Sequence, residues 1–252
     1  MIRALAVTLA LATPALADEV IVSGLSQNRV SITADFDGSE ILVYGAVKRE
    51  APPPAGGPME VIITVEGPAT PVMVRRKDRV GGIWINNASV KVDSAPSFFA
   101  VATTGPLSHI LSDTENLRYD ITIERVIRAV GIAAEAENSA DFLLALLRVR
   151  SREDRYRILE GKVELTEETL FRTDVVLPAN LVDGEYKVRI FLLRDQKVIA
   201  QQERVVGVRK VGLERFIFNL AHQRPLVYGL VSLVLAAVAG WAASTAFRMF
   251  RA

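Results

Sequence analysis

Apolar and polar positions alternate with a period of two over much of the N-terminal half. From Ile21 to about Thr104 this alternation predicts strands at Arg29–Ala34, Glu40–Val47, Glu60–Val65, Val72–Arg76, Gly82–Asn86, Ser89–Val92 and Phe98–Val101. Asp37-Gly38, Gly67-Pro68 and Gly81-Gly82 punctuate them as turns, in the manner of an antiparallel sandwich. The stretch Ala51–Pro58 (APPPAGGP) lacks the donors a sheet needs and is expected to be an exposed loop.

The period lengthens from Pro106 to about Arg157. Ile123, Val126, Ile127 and Val130 fall on one helical face. Ser139 is placed to cap a helix over Ala140–Arg150, whose apolar stripe is Phe142, Leu143, Leu146, Leu147 and Val149. From Gly161 the β pattern returns. Asp183-Gly184 is a turn, after which Tyr186, Val188, Ile190 and Leu192 alternate with Glu185, Lys187, Arg189 and Phe191. A turn followed by Gly-x-Tyr-x-Val has the form of a tyrosine corner entering strand F of an immunoglobulin-like sandwich, with Val188 where antibody domains carry a cysteine. The alternative is any strand entered through a hairpin. Arg194–Lys197 turns the chain into a last strand ending near Val208. Leu213, Phe216, Ile217 and Leu220 then sit at helical spacing in a short linking element.

All of this is organised around Pro225–Phe247, an uncharged run of about 23 residues. A helix needs roughly 20 apolar residues to cross a hydrocarbon core of ~30 Å. His222 and Arg224 flank it on one side, Arg248 and Arg251 on the other. Tyr228 and Trp241 lie near its ends, where amphipathic rings favour the interface. A buried helix of a soluble core is the alternative, but such helices rarely run this long without a polar face. Within the run, Ser232, Ala236, Gly240 and Ser244 form a small-residue stripe that would let helices pack closely in lipid. Set against this is plain alanine richness in a monomer.

The N-terminus, MIRALAVTLALATPALADEV, reads as a secretory leader: Arg3, an apolar stretch Ala4–Ala12, and a small-x-small cleavage site ending at Ala17. An uncleaved anchor is disfavoured because the apolar stretch is short. Removing the leader takes away Arg3 and leaves 29 basic against 29 acidic residues. A neutral chain argues against nucleic acid as a partner. There is no cysteine, which excludes thiolate chemistry and disulfides. Leader and span together place the bulk of the chain in the periplasm and the C-terminus in the cytoplasm. Local charge does not favour this, since Arg209, Lys210, Arg215 and Arg224 precede the span. A long domain already in translocation is little affected by such counts.

Candidate chemistry is sparse. His109 and His222 have no ligand partners at metal spacing. No nucleophile elbow, P-loop or dinucleotide fingerprint occurs. Asp35 and Asp37 beside Gly38 read as a turn rather than a catalytic pair. Arg75, Arg76, Lys77 and Arg79 form the densest basic run, suited to an anion such as a sulfonate, sulfite or lipid headgroup, or else a solvated hairpin. Trp84, on the following strand, is expected in the core. No catalytic, cofactor-binding or metal-binding residue is expected.

Gly82-Ile-Trp-Ile-Asn86, Ala95-Pro-Ser-Phe-Phe-Ala-Val101, Leu170-Phe-Arg172, Leu177-Pro-Ala-Asn180, Asp183-Gly-Glu-Tyr186 and Pro225-Leu-Val-Tyr-Gly229 occur in that succession. In this the chain resembles an alphaproteobacterial family of transmembrane proteins with one C-terminal span. The resemblance covers nearly all of the mature chain. It implies an inner-membrane protein with a periplasmic domain and no established activity. It also implies encoding beside permeases of the sulfite/organosulfonate exporter family, hence an accessory role.

The expected architecture is mainly β: immunoglobulin-like antiparallel sandwich regions, a helical insertion and one C-terminal transmembrane helix. Its parts are a leader (1–17), an N-terminal β-sandwich domain (18–104), the insertion (105–160), an immunoglobulin-like β region (161–210), a juxtamembrane element (211–224), the span (225–247) and a tail (248–252). Whether the two β regions form one sandwich or two stays open. The expected function is a non-enzymatic accessory subunit of a transporter. The expected partners are the bilayer, an integral-membrane permease and, through the span, a further copy of the chain. The alternative is a tethered module that binds anions or envelope proteins.

Overall fold

The computed structural model describes residues 19–33, 35–50, 56–128, 139–211 and 213–250. The expected leader with its cleavage site at Ala17, residues 51–55 of the expected proline-rich loop, and Val130 lie outside the described residues. The chain begins with β1 (Val20–Leu25), β2 (Arg29–Ile32), β3 (Gly38–Lys48), β4 (Glu60–Glu66), β5 (Ala69–Val80), β6 (Ile83–Pro96) and β7 (Phe99–Thr103). Helices α1 (Leu107–Ile110), α2 (Asp113–Tyr119), α3 (Ile123–Val126) and α4 (Ser139–Arg152) follow. Next come β8 (Tyr156–Leu159), β9 (Glu164–Thr166), β10 (Leu170–Pro178), β11 (Gly184–Arg194) and β12 (Lys197–Lys210), then α5 (Leu213–Gln223) and α6 (Pro225–Phe250).

One sheet has the order β1-β3-β10-β9 and the other β2-β12-β11-β4-β7-β8, while β5 and β6 pair only with each other. Pairing is antiparallel except for β12 with β2 and β7 with β8. The early and late β stretches share both sheets, because β3 pairs with β10 and β4 with β11. They therefore make one sandwich.

Alternation explains the layering. Ile41, Val43 and Val47 of β3 meet Val61, Ile63 and Val65 of β4 and Tyr186, Val188, Ile190 and Leu192 of β11 between the sheets. The opposite face of the six-stranded sheet carries Ile62, Phe99, Val101, Phe191 and Leu193, covered by Ile110, Ile121 and Ile123 from the helical segment. Strands β4 and β7 are thus buried on both faces, which is why they read as nearly unbroken apolar runs. Each such side chain removed from water stabilises the fold by about 1.5–3 kcal/mol. Phe191, expected to face outward with Glu185, Lys187 and Arg189, is instead fully buried under the helices. Arg189 stays on that face by donating to the carbonyls of Tyr119 (2.7 Å) and Asp120 (2.8 Å), the C-terminal end of α2. Burial raises the carboxyl pKa of its neighbour Glu66, while Arg189, 4.0 Å away, pulls it back.

Three further expectations are corrected. The helix expected to run from Ile123 to Val130 stops after one turn, with Ile127 extended and Arg128 bridging to Ser94 by paired backbone hydrogen bonds. Residues 156–159, read as the end of the helical segment, form β8 at the sheet edge. Val149, assigned to the apolar stripe of α4, is half exposed; Phe142 and Leu146 carry the burial. The tyrosine at the start of β11 behaves as its spacing predicts: the Tyr186 hydroxyl donates to the carbonyl of Val182 at 2.9 Å.

Candidate interaction sites on the ribbon and the membrane helix

Strands β5 and β6 continue the β4–β7 hairpin without interruption. Gly67 donates to the Phe98 carbonyl and Ser97 to the Pro68 carbonyl, which carries the ladder from Glu66↔Phe99 to Ala69↔Pro96. The ribbon then leaves the sheet and closes at Gly81-Gly82, with φ of 59° and 88°. A two-residue hairpin loop of this hand needs positive φ at both positions, which glycine supplies at no steric cost. Expected as two strands, Gly82–Asn86 and Ser89–Val92 are one strand with an irregularity where Asn87 is extra.

Helix α4 braces the root of the ribbon. Val72, Val74, Val90 and Val92 pack on Phe142 and Leu146, and the Arg76 guanidinium lies 5.9 Å from the Phe142 ring centroid. The Tyr156 hydroxyl donates to the Pro96 carbonyl at 2.8 Å, and burial pushes its pKa up to about 12. Beyond Arg76 no described element covers the ribbon. Trp84 is not a core residue: it is 67% exposed, as is Ile83, with Val80 at 52%. An apolar residue in a strand turns inward only where a second layer exists to receive it.

The register sorts the charges. Arg75, Lys77 and Arg79 lie opposite Ser89, Asn86 and Trp84, so these six share one face. Arg76, the remaining cation of the run, shares the other face with Asp78, 3.6 Å from it, with Ile85 opposite Asp78, and with the apolar pair Val80↔Ile83. Asn87 also donates to Asp78, at 2.9 Å. The basic run therefore lies along a strand rather than in a turn, and three of its four cations line one side.

Helix α6 begins at Pro225, whose missing N–H costs nothing at a helix start. Its window Pro225–Ser244 has a mean hydropathy of 2.1 and is 0% buried, which removes the alternative of a core helix. Ser232, Ala236, Gly240 and Ser244 all lie on it, exposed. Immediately before it, in α5, the Phe218 and His222 rings stack at 4.0 Å, and His222 Nδ1 lies 2.9 Å from the Phe218 carbonyl.

A family model described as "Putative transmembrane protein (Alph_Pro_TM)" matches residues 20–249, sandwich and span alike. The chain belongs to this family. Membership and the exposed apolar helix make it a single-pass membrane protein. No curated protein matches the Alph_Pro_TM chain.

Two features of this Alph_Pro_TM protein carry no sequence signature. One is a charged cluster joining four distant segments: Glu19 Oε1 lies 2.7 Å from Arg49 Nε and 3.2 Å from Arg194 Nη2, and Glu168 lies 3.9 Å from each arginine. The Glu19 side chain is 3% exposed and the arginines 13% and 7%. Arg49 also donates to the Glu168 carbonyl. The second is a shallow groove of about 740 Å³ on the outer face of the four-stranded sheet, walled by Tyr44, Leu170 and Arg172. Gly45 lies in its floor with its missing side chain on the core side, where the buried Phe171 ring fills the space a Cβ would need. His109 is exposed at the end of α1, far along the sequence from any such cluster. Among the described residues no three His, Asp or Glu side chains gather as a metal site.

Proposed function

We propose that this protein is a non-enzymatic accessory subunit of a transporter, held in the inner membrane by α6. In this reading the sandwich lies in the periplasm and the C-terminal tail in the cytoplasm. A leader ending at Ala17 supports that orientation, and the family match starts just beyond it, at residue 20. The observation that carries the proposal is α6 itself, a lipid-length helix with small residues at Ser232, Ala236, Gly240 and Ser244. In lipid, close backbone approach along such a stripe is what drives helices together. The occupant we favour is a polytopic permease exporting sulfite or organosulfonates, as the family resemblance implies; a second copy of the chain is the other candidate. The sandwich is read as immunoglobulin-like. Its orders β1-β3-β10-β9 and β2-β12-β11-β4 follow the A-B-E-D and A′-G-F-C arrangement, with Tyr186 as the corner tyrosine.

Extraction in mild detergent and affinity purification tests this. The expected result is a stoichiometric permease that is lost on Gly240→Leu or Ala236→Leu. Recovery of the chain alone overturns the accessory role. The cations on the ribbon favour a second reading, a tethered anion-binding module. Calorimetry against sulfite and taurine would then give a saturable signal that disappears in Arg75→Ser with Arg79→Ser.

A further inference from the structure

The direction in which the ribbon leaves the body sets what it can meet. Strands β4 and β12 both run antiparallel to β11, so they run the same way. Glu66, the last residue of β4, is level with Lys187, which is level with Val205 of β12. The ribbon therefore departs from the end of the sheet at which β12 runs out at Lys210 and the chain enters α5 and the span. Strand β5 has 12 residues, which at ~3.3 Å each gives a reach of about 40 Å. A ribbon of that length, rooted at the membrane-proximal end of the body, has the bilayer surface within reach.

Its tip has the chemistry of that surface. Val80, Ile83 and Trp84 are each more than half exposed around the Gly81-Gly82 turn, and Ile85 is 38% exposed. Indole favours the headgroup level of a bilayer. Arg75, Lys77 and Arg79 run back from the tip beside Trp84 on one face, and Asp78, the carboxylate of that segment, is on the other face beside Arg76. Lys91 continues the basic face toward the root, where Asp93 follows it. Cations at phosphate level and an aromatic at acyl-boundary level are the arrangement of an interfacial contact. A solvated arm would have no use for four exposed apolar side chains, and a long apolar-tipped edge is an aggregation hazard unless something covers it.

We propose that the β5–β6 ribbon is a second membrane contact, seating Val80, Ile83 and Trp84 in the interface of the outer leaflet and Arg75, Lys77 and Arg79 on anionic lipid headgroups. The body is then held at two points, the span and the ribbon tip, which fixes its tilt over the membrane. This inference rests on α6 as the span and, for the choice of leaflet, on the periplasmic placement of the body proposed above; it does not need the transporter role.

The test uses the full chain in nanodiscs with Trp241→Phe, which leaves Trp84 as the only tryptophan. In discs containing phosphatidylglycerol, Trp84 emission should shift to the blue and be quenched by lipid brominated near the headgroup end of the chains. In neutral phosphatidylcholine discs quenching should fall several-fold, since each cation at an anionic surface contributes about a five-fold preference. Arg75→Ser with Lys77→Ser and Arg79→Ser should reduce quenching in anionic discs to the neutral level, with an unchanged circular dichroism spectrum showing that the sandwich is intact. Ile83→Asp should abolish quenching in both. Full access of aqueous iodide to Trp84 in both kinds of disc would overturn the proposal. So would protection that appears only when a co-purified protein is added, which would make the tip a protein-docking site.

Discussion

Ending the chain at Lys210 moves the protein from the membrane to the soluble fraction. Among the described residues only α6 is long and apolar enough to hold a bilayer, and none of its apolar surface is engaged by the body. Its Leu and Val residues, eight between Pro225 and Ser244, each favour insertion by ~0.3–0.6 kcal/mol, about 2–5 kcal/mol together. A single charge opposes much of that. Val234→Arg, near the middle of the span, costs about 2.5–3.5 kcal/mol on the same scale and should release a large fraction of the full chain. Alkaline extraction of membranes followed by immunoblotting reads both. A truncated chain that stays with the membrane after alkaline extraction would assign the anchoring to another part of the molecule.

Glu19→Ala unfolds the body at markedly lower temperature. Among the described residues Glu19 is the carboxylate buried between Arg49 and Arg194, at 2.7 and 3.2 Å, and Glu168 stands farther off and 41% exposed. Deleting one partner of a buried ion pair leaves uncompensated charge in a low-dielectric site and costs about 3–5 kcal/mol. For a domain of this size that corresponds to a fall in Tm of roughly 6–20 °C. Glu19→Gln keeps an acceptor for the guanidinium groups and should lose less. The cluster also fixes the start of β1, because Glu19 directly precedes Val20. Thermal unfolding of the detergent-solubilised chain, followed by circular dichroism, checks this, and a loss below about 1 kcal/mol would show that water screens the site.

Local pattern carried much of this fold. The period-two runs at β3 and β11 and the apolar run of β4 needed only their own residues, and so did the corner at Tyr186. The span was legible for the same reason: a 20-residue apolar helix is a local property. Pairing across the chain was not. That β3 takes β10 as a neighbour, and β4 takes β11, depends on which faces are buried on both sides, and strand periodicity does not encode it. Phe191 was misplaced because its outward face is covered by α2 and the loop after it, elements distant in sequence. Trp84 was misplaced for the opposite reason: strand alternation implies an inside, and beyond Arg76 the ribbon has none. The Glu19–Arg49–Glu168–Arg194 cluster joins residues up to 175 positions apart, and no spacing rule reaches that far. The basic run was visible as composition, but its sorting onto one face beside Trp84 follows only from the register of β5 against β6.

The account depends most on the body and the C-terminal tail lying on opposite sides of one membrane. The chain has no cysteine, so single cysteines report on it without background. Lys162→Cys, on the exposed surface of the body, and Ala252→Cys, at the end of the tail, would each be treated with a membrane-impermeant maleimide in intact spheroplasts. Labelling of the body cysteine at once, and of the tail cysteine only after permeabilisation, is the predicted result. The reverse pattern, or equal labelling of both in intact spheroplasts, would contradict it.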